Sequence, residues 1–382
     1  MLPRIRILTI NTGTIFNFSI ISTGEAMEPS GKDPYLHKGC YFLPVLSSPE
    51  KIDSLESFEI RDDDTFIITY PKSGTVWTQN IVSLILYEGH RDGTENITLF
   101  KRAPWLEYNI NEDLPSRPSP RVICSHLHYY LAPKGLQNKR AKIIYVFRNP
   151  KDVLVSSYHF YKILTMMETT EEFDAYLEKF LAGKVPSSLW LDHVEGWYTH
   201  KGDFNILFLS YEEMKKDLRS SVLKICHFLG KELTEKEVDD VVDKATFDNM
   251  KADSRTNYAS LNITFLDRSK GVLLRKGIVG DWKNHMTVAQ SERFDRVFKE
   301  RMEKLPFRFC WDMQEDPDPI SRVKKTKICP RVLTDHSPVW MELEYVMGSK
   351  RSWRLNENLF RYEENVTECK KIYERIFHYK YA

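Results

Sequence analysis

The hydrophobic pattern of the chain predicts strands that alternate with helices through its middle. Four short runs of β-branched and aromatic residues have the pattern of buried parallel strands: Thr65–Tyr70, Arg121–Ser125, Lys142–Phe147 and Asn205–Leu209. Apolar positions at helical spacing predict helices over Lys151–Ile163, Glu171–Leu181, Ser187–Tyr198, Tyr211–Leu229, Glu235–Ala245 and Ala289–Leu305. This order predicts an α/β fold, a single three-layer domain with a central parallel sheet.

The chain changes character at both ends of this region. Residues 1–26 start with basic and isoleucine-rich positions, but polar residues interrupt the apolar stretch and no small-x-small cleavage site follows. We therefore predict a disordered extension over 1–26. The acidic, proline-containing segment Gln314–Pro319 is typical of a domain end. The sequence predicts one domain over residues 27–315 and a basic, aromatic-rich, poorly ordered tail over residues 316–382.

Composition narrows the possible partners. A formal net charge of +1 gives no general attraction to nucleic acid or to anionic lipid, so any anion chemistry must be local. No apolar run approaches the roughly 18 residues that a membrane span requires. The six cysteines are scattered without a CxxC pair, which favours free thiols and a cytoplasmic location. No cluster of His, Asp and Glu suggests a metal.

Polar and charged residues follow each of the four predicted strands. They are the Pro71–Thr75 loop, His126, Arg148 and Tyr211. Because ligands of open parallel sheets bind beyond the carboxyl ends of the strands, we expect these residues to meet at one site.

The first of these loops has the features of an anion site. Gly74 permits close backbone approach, and the amides of Ser73–Val76 begin a helix whose dipole favours negative charge. Lys72 adds a full positive charge. The lysine precedes the glycine, so the loop is P-loop-like without being the GxxxxGK[ST] motif. By itself the loop also fits a capped turn with a surface lysine.

Longer motifs around the strand ends resemble the cytosolic sulfotransferase family. They cover roughly residues 35–313 and are Tyr70–Thr75 with Trp77, Ser125–Leu127, Arg148–Asp152 with Ser156, Tyr158–Phe160, Arg275–Gly277 and Gly280–Lys283. The stretches Arg219–Leu229 and Ala245–Phe247 look most similar to the amine sulfotransferase branch. Three positions depart from the common pattern: Val76 replaces a threonine, Cys124 a lysine and His128 a proline. We hypothesise that the last two tune the acceptor pocket away from phenols.

The resemblance implies a binding site for 3′-phosphoadenosine 5′-phosphosulfate. The loop implied to hold the 5′-phosphosulfate consists of Lys72, Ser73, Gly74, Thr75, Val76 and Trp77. The residues implied to hold the 3′-phosphate are Arg148, Ser156, Arg275, Lys276 and Gly277. Those implied to surround the adenine are Trp77, Tyr211, Thr246, Phe247 and Met250. Catalytic roles are implied for His126 as the general base, for Lys72 and for Ser156.

These residue types suit an in-line, metal-independent transfer of a sulfuryl group. Histidine removes a proton near neutral pH, and a lysine with preorganised amides stabilises charge on the departing phosphate. Arginine binds phosphate through a fork that lysine lacks. Aromatic and aliphatic residues around Pro104–Tyr108 and Tyr158–Phe160 favour a small lipophilic acceptor, an amine or a hydroxyl compound.

Two further segments resemble known families, one between residues 283 and 292 and the other in the C-terminal tail. The positions Lys283, Thr287, Val288 and Glu292 match the family's short dimerisation segment, so we expect a homodimer. Thr334–Pro338 and Ser352–Asn356 look like the closing segment of a retroelement endonuclease. The other residues of such a metal site have no visible counterpart, and we expect neither nuclease activity nor a nucleic-acid partner.

Two other functions stay open at this point. The chain is also compatible with a catalytically impaired sulfotransferase homologue that binds a nucleotide or a lipophile. A nucleotide phosphotransferase is less favoured, because no GK[ST] follows the loop and no magnesium-binding carboxylate follows a strand.

Overall fold

The computed structural model describes residues 33–86, 97–109, 113–165, 167, 172–258, 266–307 and 309–313, and three strands between 323 and 354. Contacts divide the chain into two compact units, Met1–Trp311 and Asp312–Ala382. The predicted extension over residues 1–26 lies outside the described residues.

A four-stranded parallel sheet forms the centre of the first unit. Its strands are β3 (Thr65–Thr69), β4 (Val122–Ser125), β5 (Lys142–Phe147) and β6 (Ile206–Ser210), in the order β4-β3-β5-β6. Ile67 lies opposite both Cys124 and Ile144, so the central register is fixed on either side. The predicted parallel sheet is confirmed, and the four carboxyl ends lie along one edge of it.

Both faces of the sheet are buried, which accounts for the continuous apolar runs in the sequence. Side chains alternate along each strand, so Phe66 and Ile68 enter one hydrophobic cluster while Ile67 enters the other. Helices cover each face, and the three-layer architecture follows.

Five of the six helices predicted by residue range begin and end within three residues of their predicted limits. The described residues form eleven α-helices. They are α1 (Pro49–Ser54), α2 (Thr75–Leu86), α3 (Leu99–Arg102), α4 (Pro150–Ile163), α5 (Phe173–Leu181), α6 (Trp190–Thr199), α7 (Tyr211–Lys216), α8 (Leu218–Leu229), α9 (Glu235–Lys244), α10 (Phe247–Ala252) and α11 (Val288–Glu303). The single helix predicted over Tyr211–Leu229 is wrong. Asp217 leaves the helical conformation and its carboxylate caps α8 by accepting from the Ser220 N–H, which separates α7 from α8.

A short antiparallel hairpin precedes the sheet and has no counterpart in the predicted elements. Its strands are β1 (Tyr35–His37) and β2 (Cys40–Phe42), joined by Lys38 and Gly39, both at positive φ. The turn that follows β2 contributes to the wall of the site described below. None of the described helices is both long and apolar enough to cross a bilayer.

The second unit contains a three-stranded antiparallel sheet. The strands are β7 (Val323–Ile328), β8 (Trp340–Tyr345) and β9 (Lys350–Arg354), with β8 in the centre. Thr334–Pro338, one of the two segments that resemble a retroelement endonuclease, lies outside the described residues.

Candidate active site

One cavity of about 290 Å³ collects residues from all four carboxyl ends of the central sheet. Lys72 follows β3, His126 follows β4, Arg148 follows β5 and Tyr211 follows β6, and each lines this cavity. The other predicted site residues line it as well, except Ser73 and Thr246. The residues that follow the four strands therefore lie around one cavity, as the sequence predicted.

The loop after β3 has an unusual backbone conformation. Lys72 and Gly74 have φ values of 69° and 109°, and a Cβ on Gly74 would lie 2.9 Å from Cδ2 of Tyr211. Only glycine fits this approach without strain. The Ser73 hydroxyl is buried and makes no hydrogen bond within the described residues, but Ser73 does not line the cavity.

Lys72 carries a strongly perturbed amine at the centre of the cavity. Its Nζ lies 4.1 Å from the ring centroid of Phe160. Burial, together with the positive charges of Arg148 and Arg275, lowers the pKa of Lys72 to about 7. Three cations that repel each other around one buried space favour an anion between them.

Arg148 connects the anion loop to a distant segment. Its guanidinium donates to the carbonyl oxygens of Lys72, at 3.3 Å, and of Ile278, at 2.8 Å. The Tyr211 ring lies 4.2 Å from the guanidinium carbon. Nε of Arg148 is buried without a hydrogen-bond partner among the described residues, so one donor remains available for a ligand.

The basic segment at 275–277 is organised by one carboxylate. Asp281 accepts from Arg275 at 2.5 Å and from Lys276 at 2.7 Å, and these contacts keep its pKa low despite its burial. Gly277 has a φ of +63°, and a Cβ there would lie 2.3 Å from Cδ2 of Phe247. The glycine therefore allows this basic segment to lie against an aromatic side chain of the cavity wall.

Aromatic side chains form the neighbouring wall of the cavity. Trp77 and Tyr211 meet edge to face with ring centroids 5.3 Å apart, and the Trp77 indole donates to Ala245 O at 2.7 Å. Met250 is buried beside them. Thr246 does not line the cavity, because its hydroxyl donates instead to Asp243 O at 2.9 Å.

The imidazole of His126 is oriented by the end of β3. Its Nδ1 lies 2.7 Å from Thr69 O, so Nδ1 carries the proton and Nε2 keeps its lone pair. Burial lowers the pKa of His126 to about 4, and the charge of Lys72 acts in the same direction, so the ring is neutral near pH 7. Trp105 packs against it with ring centroids 4.4 Å apart.

The remaining part of the cavity is apolar, and its residues come from separate segments of the chain. They are Phe42, Leu43, Leu46, Phe100, Trp105, Tyr108, Tyr161, Leu164, Tyr258 and Leu266. Glu107 also lines this part and is almost fully buried. The sequence drew attention to Pro104–Tyr108 for its aromatic character, but the buried carboxylate of Glu107 was not identified as a feature of the site. Lys215, half-buried on α7, was missed as well.

The three departures from the family pattern differ in their relation to the cavity. Val76 lines it, whereas Cys124 and His128 are absent from its described lining. Cys124 is buried in the hydrophobic cluster that also contains Trp105, and His128 Nε2 lies 3.0 Å from Ser187 O. Neither side chain contacts the acceptor space directly in this structure, so any effect on acceptor choice must be indirect.

Comparison with known proteins is consistent with this arrangement. The family model described as "Sulfotransferase domain" matches residues 62–306. The amine sulfotransferase of Oryctolagus cuniculus is 55% identical over 76% of this chain and 97% of its own length. Sulfotransferase 2B1 of Homo sapiens is 44% identical over 74% of this chain and 78% of its own length. A mouse sulfotransferase crystallised with PAP is 35% identical, with a TM-score of 0.60 over 72% of this chain and 96% of its own. The chain therefore belongs to the sulfotransferase family.

Proposed function

We propose that the chain transfers the sulfuryl group of 3′-phosphoadenosine 5′-phosphosulfate to a small lipophilic amine or hydroxyl acceptor, with His126 as the general base. The observation that carries the proposal is the fixed tautomer of His126. Its Nδ1–H is bound to Thr69 O at 2.7 Å, and its basic Nε2 belongs to a ring that lines the same cavity as Lys72. A base and an anion cradle in one buried space are what sulfuryl transfer requires.

The donor half of the cavity is supported by its charges and by its unsatisfied donors. Lys72 and the N–H groups at the start of α2 are suited to the 5′-phosphosulfate, and Arg148 Nε is buried without a hydrogen-bond partner among the described residues. Arg275, Lys276 and Ser156 are suited to the 3′-phosphate. A donor with several negative charges offsets the mutual repulsion that lowers the pKa of Lys72.

The reaction itself follows from these roles. The acceptor nitrogen or oxygen forms a bond to sulfur while the bond between sulfur and the bridging oxygen of the 5′-phosphate breaks. His126 Nε2 takes the proton that the acceptor loses, and Lys72 stabilises the charge that develops on the departing phosphate. An anionic donor beside the ring opposes the effect of Lys72 and raises the pKa of His126 toward the working range of a base.

Of the two proposed acceptor classes, amines are supported by the relative that is named an amine sulfotransferase. The apolar half of the cavity, with Trp105 and Tyr108 stacked at 5.1 Å, is suited to a flat lipophilic compound of either class.

We propose a reducing, cytoplasmic setting, which the free thiols of Cys40, Cys124, Cys226 and Cys310 support.

We also propose a homodimer through the segment from Lys283 to Glu292. Thr287 caps α11 and orients the start of the helix, and Val288 next to it is 75% exposed. An apolar side chain presented at a helix start is available for a small symmetric contact. A chain that sediments only as a monomer at micromolar concentration contradicts this assembly.

A label-transfer assay tests the activity. The chain is incubated with donor labelled in the sulfuryl group and with a panel of amines and phenols, in the presence of either magnesium or a chelator. We expect metal-independent transfer that falls at least 100-fold in His126→Ala, while His227→Ala, an exposed histidine on α8, keeps the parent rate. Donor binding without transfer supports the impaired homologue instead. Magnesium-dependent transfer from ATP labelled in its terminal phosphate, measured in parallel, supports a phosphotransferase.

A further inference from the structure

Hydrogen bonds fix the His126 residue through its backbone as well as its ring. The His126 N–H donates to Glu107 Oε1 at 2.8 Å, and His126 O lies 3.2 Å from Nε2 of His193. Together with Nδ1, which is bound to Thr69 O, three of its four polar atoms are held by other parts of the fold. The fourth atom, Nε2, is the one that the proposed reaction uses.

Glu107 has an unusual environment for a carboxylate. It is 3% exposed, and Trp105 and Tyr108, its neighbours in the sequence, stack on each other. Burial raises the pKa of Glu107 to about 7, although the His126 N–H and the nearby Ser125 hydroxyl act in the opposite direction. Its Oε2 makes no hydrogen bond within the described residues. A buried acid with so few partners is costly for the fold, which indicates that its bond to His126 has a function.

His193 reaches the same residue from the opposite side. It is fully buried on α6, with Nδ1 2.8 Å from the Tyr145 hydroxyl. A carbonyl oxygen only accepts, so the nitrogen facing His126 O must carry the proton, and Nδ1 must accept from Tyr145. Burial holds the pKa of His193 well below its usual value, in agreement with a neutral ring of this single tautomer.

We propose that Glu107 and His193 are positioning residues that hold the His126 backbone from both sides and thereby aim Nε2 at the acceptor. This inference rests on the proposed role of His126 as the base. The bonds run through the peptide units on either side of the imidazole, so losing one of them lets the residue shift as a whole. A misplacement of about 1 Å between a base and its substrate costs on the order of 100-fold in rate.

The first test compares Glu107→Gln with Glu107→Leu. Gln keeps an oxygen that accepts from the His126 N–H, whereas Leu fills the space without an acceptor. We expect Leu to lower kcat by about 10- to 100-fold, with KM for the donor and the affinity for PAP unchanged, and Gln to restore most of the rate. Leu removes a buried charge from apolar surroundings, so the variant is expected to fold.

His193 is tested by the same logic. Gln retains a side-chain N–H directed at His126 O, whereas Phe retains only the ring volume. We expect His193→Phe to lower kcat without weakening PAP binding, and His193→Gln to recover part of the loss. Thermal unfolding of each variant, measured alongside the kinetics, separates a shifted base from a damaged fold.

A double-mutant cycle distinguishes positioning from a general structural role. If Glu107 acts through His126, adding Glu107→Leu to His126→Ala lowers the residual rate no further. A further loss of 10-fold or more in that background, or a Glu107→Leu enzyme with the parent kcat, overturns the inference. Full activity of His126→Ala by itself would instead refute the proposed base, so the two failures are distinguishable.

Discussion

Lys72 has an ionisable amine in a buried position, and this environment determines how its protonation is linked to ligand binding. Its amine lies in a buried cavity beside Arg148 and Arg275, and burial together with these charges lowers its pKa to about 7. Near neutral pH the free protein is therefore divided between charged and neutral amine. A bound polyanion favours the charged form, so donor binding and protonation of Lys72 are thermodynamically linked.

The first prediction follows from this linkage. Above pH 7 the free amine is neutral and must gain a proton on binding, so PAP affinity should fall by up to about tenfold per pH unit. Calorimetry at pH 8 in two buffers of different ionisation enthalpy measures the proton uptake directly. Lys72→Arg, which stays charged, and Lys72→Met, which is never charged, should both abolish this uptake. Equal binding enthalpies in the two buffers for the parent chain would contradict the prediction.

Gly277 gives a second prediction at the residue scale. Its φ of +63° is unfavourable for other residues, and an added Cβ would lie 2.3 Å from Phe247 Cδ2. We expect Gly277→Ala to cost about 1 to 2 kcal/mol of stability and to weaken PAP binding at least tenfold, because Phe247 is displaced. Gly202→Ala is the matched control, since a Cβ there meets no atom within 4 Å. Unchanged PAP affinity in Gly277→Ala would exclude Phe247 from the nucleotide site.

At the scale of elements, the strands and helices that have a clear local sequence pattern were predicted correctly. The sheet strands and α4 were predicted correctly because apolar runs and helical spacing are local signals. The break at Asp217 was missed, since aspartate also occurs within helices and the local pattern stays amphipathic on both sides. The hairpin of β1 and β2 is too short for a periodic pattern to reveal it.

The candidate site also contains one part with a local sequence signal and one part without. Among the residues proposed to bind the donor, Lys72 and Arg148 directly follow β3 and β5, so topology and motif both pointed to them. Arg275–Gly277 follow no strand and were proposed from the motif alone. The acceptor half is assembled from the turn after β2, from the segment around Trp105 and from residues such as Tyr258, which no local pattern connects. Glu107 and His193 were not predicted because their proposed role depends on hydrogen bonds to His126, which is distant from both in the sequence. Hydrophobic periodicity carries no information about such contacts.

The start of α4 supports a third prediction. The Asn149 side chain accepts from the N–H groups of Lys151 and Asp152, and the backbone N–H of Asn149 donates to Glu212 Oε1 at 2.9 Å. Loss of an N-cap of this type costs about 1 kcal/mol. We expect Asn149→Ala to lower the unfolding temperature and to weaken donor binding, because Arg148 precedes the cap. Asn149→Asp keeps the capping oxygen but loses the N–H that donates to Asp152 and to Cys310 O, so it should recover only part of the unfolding temperature.

At the scale of the whole molecule, the segment after α11 determines where the first unit can be shortened. Phe307 packs on Phe147 at 4.2 Å between ring centroids, and Trp311 O accepts from the Trp282 indole at 2.9 Å. Cys310 O accepts from the Asn149 side chain at 3.3 Å. These contacts tie the residues before the unit boundary to β5, to α4 and to the basic segment of the site.

The last prediction follows from these contacts. A chain shortened to residues 27–315 keeps all of them and should retain kcat and the unfolding temperature of the full chain. A chain that ends at Leu305 loses the aromatic contact with Phe147 and the two backbone acceptors, and should unfold at least several degrees lower. Activity and thermal unfolding of the three chains provide the comparison. Loss of transfer in 27–315 would mean that residues 1–26 or 316–382 act on the site, whereas an unaffected shorter chain would mean that Phe307 and Trp311 contribute little to the core.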